Sequence, residues 1–340
     1  MNKQAISKIV GTALICLVIA SATTSIYVSQ VSATAQLVVH FIDVGQGDAI
    51  LIDYGSYEML IDGGQSGNRS SYISRYVDGD LEVVVATHPH ADHIGGLTNV
   101  LNAFVVDDIW LNGDNETTQT YATFMAKVNA EGAQVHNAQR GDQISLSTLT
   151  FDVLHPTLPL GTDTNENSIV LKLSFGQVDF LFTGDSNSGA EASMLSAGLI
   201  KNTEILKVGH HGSKTSSTQA FLVAAKPEIA VYSAGAGNTY GHPAPETIAR
   251  LQAVGASIYG TDVYGTIIVT TDGTTYSVHP ASTAGDANGD GQVNAQDITK
   301  VERIIAHLDT PTPGTDANLD GKVNALDITT VERIIAGLAH

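Results

Sequence analysis

Six residues rich in branched apolar side chains, LEVVVA (81–86), run directly into THPHADHIGG (87–96), which carries three histidines and an aspartate within six positions. The first segment has the composition of a buried strand. The second has no place in an apolar core, because imidazole and carboxylate groups are costly to bury without partners. A strand that ends in such a cluster points to a sheet of alternating strands and helices, in which ligands gather beyond the carboxyl ends of the strands. Neutral imidazole and carboxylate are ligands for borderline transition metals. Four of them on one turn, His88, His90, Asp92 and His93, can serve two ions.

The same joint between apolar run and polar turn recurs. Between residues 36 and 280 the chain alternates β-rich runs (LVVHFIDV, AILIDY, EMLIDGG, EVVVATH, LTFDVLH, SIVLKLSF, VDFLFTGD, EIAVYSAG, TIIVTT) with turns of Gly, Asp and Asn. Helical patterns are expected at 70–77, 118–130, 189–197, 217–225 and 245–254, the last with proline in its first turn and a stop before Gly255. One α/β domain over 36–280 follows. Within it Asp62 in LIDGG and Asp185 in FLFTGD each end an apolar run, and KVGHHGS (207–213) adds His210 and His211. Singly, an aspartate before glycine is an ordinary turn former.

In this order the stretches IDGG, HPHADH, TGD and GHHGS resemble the metallo-β-lactamase superfamily. NENSIVL (165–171), HHGSKTS (210–216) and AGAGNTYGHP (234–243) make the chain similar to the hydrolase domain of competence DNA-uptake proteins of the ComEC type. The resemblance spans 37–278 and implies an αββα sandwich holding two divalent transition metals, Zn or Mn. It further implies His88 and His90 at the first metal, Asp92 and His93 at the second, and Asp185 between them. His210 is preferred to His211 for the second site because it directly follows the strand-like ILKVG. Asp62 and His211 are further candidates as ligands or supports. The family's third histidine at the first site has no clear counterpart: His155 lies near that place but precedes Pro156 like a strand-end residue, and Asn167 or Ser168 is expected there instead. Catalysis is assigned to Asp92, which would orient a water activated between the metals, and to His242, which would meet a phosphate or protonate the leaving oxygen. Ser213 and Lys214 are the candidate substrate contacts.

From 285 the texture changes. GDANGDGQVNAQDITKVERIIAHL (285–308) repeats as TDANLDGKVNALDITTVERIIAGL (315–338), joined to the preceding domain by a small-residue linker, 281–284. Oxygen-bearing residues fall at loop positions 1, 3, 5, 9 and 12: Asp286, Asn288, Asp290, Asn294 and Asp297, then Asp316, Asn318, Asp320, Asn324 and Asp327. Gly291 and Gly321 occupy position 6. These are the slots of an EF-hand calcium loop. Each opens a helix with apolar positions Ile298, Val301, Ile305, Leu308 and Ile328, Val331, Ile335, Leu338. The duplicated loop-helix unit (285–340) resembles the type I dockerin. That implies two calcium ions, an all-α fold of two half EF-hands, and a cohesin of a scaffoldin as partner, met through Ala295, Gln296, Ala325 and Leu326.

Residues 1–35 read as a secretory signal peptide: Lys3 and Lys8, then the apolar run IVGTALICLVIA (9–20), then small residues at 33–35. On that reading the protein is secreted, attached to a cell-surface cellulosome, and free of the membrane after cleavage. The formal charge is −19. Setting aside the two lysines of 1–35 and the nine acids and four bases of 285–340 leaves −16 on the middle region, which argues against a generic nucleic-acid surface. The expected activity is that of a metal-dependent phosphodiesterase or nuclease. The alternatives are an ester, lactone or lactam hydrolase on the same fold, or a non-catalytic metal-stabilised interaction domain.

Overall fold

The computed structural model describes residues 36–65, 70–281, 285–288, 293–312, 314–318 and 322–338. The expected signal peptide, the linker residues 282–284 and the loop residues Asp290 and Asp320 lie outside them. Two sheets account for the α/β domain. The first contains β1 (Leu37–Phe41), β2 (Ile50–Asp53), β3 (Glu58–Ile61), β4 (Leu81–Ala86), β5 (Val106–Leu111) and β6 (Gln134–Asn137). The second contains β7 (Gln143–Leu146), β8 (Leu149–His155), β9 (Val170–Phe175), β10 (Val178–Phe182), β11 (Ile205–Lys207), β12 (Ile229–Tyr232) and β13 (Ser257–Gly260). The chain then returns to the first sheet through β14 (Ile267–Thr271) and β15 (Tyr276–Pro280), giving the order β15-β14-β1-β2-β3-β4-β5-β6 against β13-β12-β11-β10-β9-β8-β7.

Side-chain alternation explains the layering. Val39, Phe41, Ile52, Ile61, Val83 and Val85 of the first sheet share one buried cluster with Phe151, Leu171, Phe180, Phe182 and Val231 of the second. The intervening residues face outwards under helices. Leu51, Leu60, Val84 and Ile109 pack with Leu97, Val100, Phe124 and Val128, while Leu181, Leu206 and Ala230 pack with Met194, Phe221, Leu222 and Leu251. The result is the expected αββα sandwich.

Helix ends follow local chemistry. Thr118 and Thr218 cap Gln119–Glu131 and Gln219–Ala225 by accepting from Tyr121 N and Phe221 N. The pattern expected over 70–77 forms a helix only at Ser70–Ile73 and continues as turns.

In each sheet one block of strands is parallel: β3 to β6, and β10 to β13. The carboxyl ends of these blocks carry the polar turns flagged in the sequence.

In the C-terminal repeat, Ala295–Ile305 and Ala325–Ile335 are helices, packed through Val301 and Val331 with Ala287 and Ala317. Asn294 and Asp297, and likewise Asn324 and Asp327, form reciprocal capping boxes at their starts. The apolar stripe is shorter than its spacing suggests. Leu308 and Leu338 are exposed, because the helices end at Ile305 and Ile335 and both leucines lie past the last turn. Ile335 is also exposed, whereas Ile304 is buried.

Candidate metal centre

Asp62 directly follows β3, in a left-handed conformation (φ 58°). Its carboxylate accepts from Thr87 N (2.8 Å) and Thr87 Oγ1 (2.7 Å), and His93 Nδ1 lies 2.7 Å away. Asp62 therefore fixes the ring of His93 and leaves Nε2 to face inwards, 3.3 Å from Asp185 Oδ1. Asp185 stands three residues beyond β10, and its N–H donates to Ser168 Oγ at 3.1 Å. From there its carboxylate reaches four rings. His88 Nε2 lies 3.9 Å from Oδ2, His210 Nε2 3.6 Å and His211 Nε2 3.4 Å, in addition to His93.

The turn after β11 carries His210 and His211, both left-handed (φ 50° and 55°). Two consecutive non-glycine residues in that region cost roughly 1–3 kcal/mol each. The turn is held by His210 N donating to Gly184 O and Ser213 N donating to His210 O. It sends the two rings to different places. His211 is buried, with Nδ1 3.0 Å from Ser233 O and Nε2 3.3 Å from Asp92 Oδ2. His210 stays 22% exposed, with Nδ1 3.1 Å from Asn187 Oδ1. The structure thus places both members of the pair near Asp185: His211 enters the buried cluster, and His210, the residue preferred from the sequence, lies at its rim.

Asp48 is a member of this cluster that the sequence reading does not single out. It ends DVGQGD (43–48), a glycine-containing turn between two apolar runs, and that placement was the available signal. Gly47 admits a close approach: a Cβ there would lie 2.1 Å from Asp92 O, and Asp48 N donates to that same carbonyl at 3.2 Å. Asp48 Oδ2 pairs with the buried Lys207 at 2.8 Å, and Oδ1 lies 3.3 Å from His211 Nδ1. Burial pushes the Asp48 carboxyl up, but Lys207 and His211 outweigh it and leave it at about 2. Burial and the neighbouring His93 hold His88 well below the usual histidine range, whereas Asp185, with Asp62 and with Asp48, holds His93 and His211 well above it against the cost of burial.

One donor atom from each of Asp48, His93, Asp185 and His211 lies within 4.8 Å of all the others, and all four residues are buried. Asp48 Oδ1, His93 Nε2, Asp185 Oδ1 and His211 Nε2 have no hydrogen-bond partner. Buried polar atoms without partners are rare, and their convergence fits a cation held by mixed imidazole and carboxylate donors. His88 and His90 adjoin this group, with His88 Nε2 3.0 Å from His90 Nδ1 and His90 Nε2 2.9 Å from Thr164 Oγ1.

The remaining candidates take supporting positions. Asn167 spends its amide on Asp114 and Gly161, so it braces the 161–167 loop. Ser168 holds Asp185, and His155 Nε2 contacts Glu166 O at 2.7 Å. Ser213 is buried, with its hydroxyl 2.9 Å from Thr215 Oγ1. Its hydroxyl is occupied within the turn, whereas Lys214, the other residue expected to contact substrate, is exposed at the surface. His242 sits beside the cluster, its ring centroid 5.5 Å from that of His210 and 6.2 Å from that of His211.

With two sheets, their helices and a polar cluster at the strand ends established, the likeness to known proteins is specific. Residues 42–236 match the metallo-beta-lactamase superfamily. The chain belongs to that superfamily. Residues 284–336 match the dockerin type I domain, so this metallo-beta-lactamase domain precedes a dockerin. The chain is 28% identical over 250 residues to ComE operon protein 3 of Bacillus subtilis, covering 67% of this chain and 32% of that protein. It is 30% identical over 230 residues to competence protein ComA of Neisseria gonorrhoeae, covering 66% of this chain and 31% of the relative. The chain thus spans about a third of the length of these competence proteins. In architecture it is similar to the metallo-beta-lactamase fold protein YhfI from Bacillus subtilis, with a TM-score of 0.50 at 12% identity, covering 70% of this chain and all of that one. The domain is therefore a metal-dependent hydrolase fold with a metal site, and the dockerin implies calcium and a cohesin partner. Ala295, Gln296, Ala325 and Leu326, expected at that partner, are exposed at the helix starts. Among the described residues no helix is long and apolar enough to cross a membrane.

Proposed function

We propose that residues 36–280 form a metal-dependent phosphodiesterase that is secreted and carried on a cellulosome by its dockerin. The observation that carries the reading is the convergence of partnerless buried donors on Asp185, within a domain similar to those of competence proteins. On this reading His88 and His90 hold one transition metal, Zn or Mn, and Asp92, His93 and His211 a second, with Asp185 reaching both. Such a pair, when bound, acidifies water and offsets charge on the reacting phosphate oxygens.

The chain's own groups do the rest. Asp92, with 24% of its side chain exposed, is the carboxylate of the cluster open to the surface and orients the attacking water. His242 is half-buried and borders the cluster, so it is placed to pass a proton to the leaving oxygen. Lys214 meets a non-bridging oxygen from the exposed side. Asp48 and Asp62 orient His211 and His93 from behind.

The test is metal analysis of the purified protein, followed by assays in Mn²⁺ and Zn²⁺ on bis-p-nitrophenyl phosphate, single-stranded DNA and a lactone panel. Phosphodiester hydrolysis that falls at least a hundredfold in Asp92→Ala, with the thermal transition retained, is the expected result. Turnover confined to lactones or esters would sink the phosphodiesterase reading.

A further inference from the structure

Beside the cluster, the loop 235–244 presents an aromatic ring that the chemistry above does not use. Tyr240 is 64% exposed, and its ring lies offset over His242, with centroids 6.0 Å apart and planes inclined by 25°. The loop backbone that presents this ring is tied down. Asn238 Oδ1 accepts from both Tyr240 N and His242 N at 3.1 Å, and its amide nitrogen donates to Gly235 O at 2.9 Å and to His242 O. The loop is in turn pressed onto the histidine turn: Ala244 N donates to Gly212 O at 2.9 Å, and a Cβ on Gly212 would meet Pro243 Cβ at 2.7 Å. Tyr240, His242 and the His210–His211 pair therefore form a fixed series running from solvent to the buried donors.

We propose that Tyr240 is a stacking shelf for a nucleobase adjoining the scissile phosphate, so that the substrate class is single-stranded nucleic acid. This rests on the phosphodiesterase reading of the same site. The domain's net negative charge repels a polyanion at long range; Lys214 is exposed beside the turn, and the half-buried Arg250 spends its guanidinium on the carbonyls of Lys214, Ser216 and Ser217. Affinity must then come from contacts that do not depend on charge. Stacking on an exposed ring is such a contact, tolerates any base, and needs a base that is not already paired in a duplex. A consequence is weak salt dependence, since few phosphates are neutralised by cationic side chains.

The test compares two short single-stranded DNA oligonucleotides, one complete and one with an abasic tetrahydrofuran residue beside the cleaved linkage. Cleavage and binding are both measured on the full-length Mn²⁺-loaded protein, binding with phosphorothioate-linked versions of the same oligonucleotides. The wild type should prefer the complete strand by roughly tenfold in KM and in Kd. Tyr240→Phe should keep the preference, and Tyr240→Ala should lose it while cleaving the abasic strand as the wild type does. Equal cleavage of both strands, unaltered in Tyr240→Ala, overturns the shelf and leaves the phosphodiesterase reading standing. Base-dependent binding without cleavage of any strand overturns the phosphodiesterase reading and keeps the shelf. Absence of both overturns both.

Discussion

Lys207 lies at the end of β11 with its side chain buried, donating to Val208 O at 2.9 Å and pairing with Asp48 at 2.8 Å. A lysine in such a place needs a reason, because an ammonium group is among the costliest to remove from water. The reason lies one residue further on. Asp48 is held by Lys207 beside the Nδ1 edge of His211, which also meets Ser233 O, so the lysine places the carboxylate that flanks the ring. Outer carboxylates that orient a ligating histidine are worth roughly 10–100-fold in metal affinity. Asp48→Asn should therefore weaken Zn²⁺ or Mn²⁺ binding by about that factor, read by competition with a chelating dye; unchanged affinity would rule out both ligation and orientation by Asp48. Lys207→Met leaves a buried carboxylate unpaired and should cost about 3–5 kcal/mol of stability, visible as a lower denaturation midpoint. At this scale the sequence was informative where chemistry clusters, as in HPHADH. It was uninformative where one residue of each neighbouring pair had to be chosen. His210 and His211 share a left-handed turn that sends their rings to different places, which no spacing rule exposes. Asp48 and Lys207 acquire their roles only when β11 is laid beside the 43–48 loop.

At the level of elements, strands buried on both faces are legible because nothing but branched and aromatic residues suits them, as in LEVVVA and VDFLF. Those that escape the pattern are short, lie at the edges, or have one face in water. β11 has three residues, and β6 (QVHN) and β13 (SIYG) are edge strands with largely polar or half-exposed sides. An interior strand holds a titrating defect. Glu58 begins β3, is buried, and has no hydrogen-bond partner on either carboxyl oxygen, while Glu82 Oε2 accepts from its backbone N–H at 2.7 Å. Burial, together with the charges of Glu82, Asp78 and Asp53, pushes its carboxyl from 4.5 up to about 7. Between those two values the folded chain keeps a proton that the unfolded chain has released, so stability falls as pH rises through the window. Glu58→Gln removes this loss and can donate to the neighbouring carboxylates. The variant should melt above the wild type at pH 8, with the difference closing towards pH 4; a gap that stays constant with pH would refute the assignment. In the sandwich itself, Phe180→Ala opens a cavity between the sheets and should cost about 3–5 kcal/mol in a denaturant titration.

Across the whole molecule, the change in texture at residue 281 separates two ways of being stable. The sandwich buries three clusters of apolar side chains, whereas among the described residues of the dockerin the fully buried apolar side chains are Ala287, Val301, Ile304, Ala317 and Val331. So small a core does not offset the ordering of two loops and two helices, and the balance must come from calcium on the carboxylates of the repeat. The sandwich, in contrast, closes on its own last strand: β15 pairs along β14, and Ala281 N completes the series on Thr266 O. Its metal donors all precede that point. Deleting 282–340 should therefore leave kcat/KM on a soluble substrate within about twofold of the full chain, the range of effects too small to reflect a lost transition-state contact. Chelating calcium with EGTA should abolish the dockerin's helical signal and cohesin capture while leaving turnover intact. A severalfold fall in rate on truncation, with the sandwich still folded, would mean that the dockerin acts on catalysis as well as on attachment.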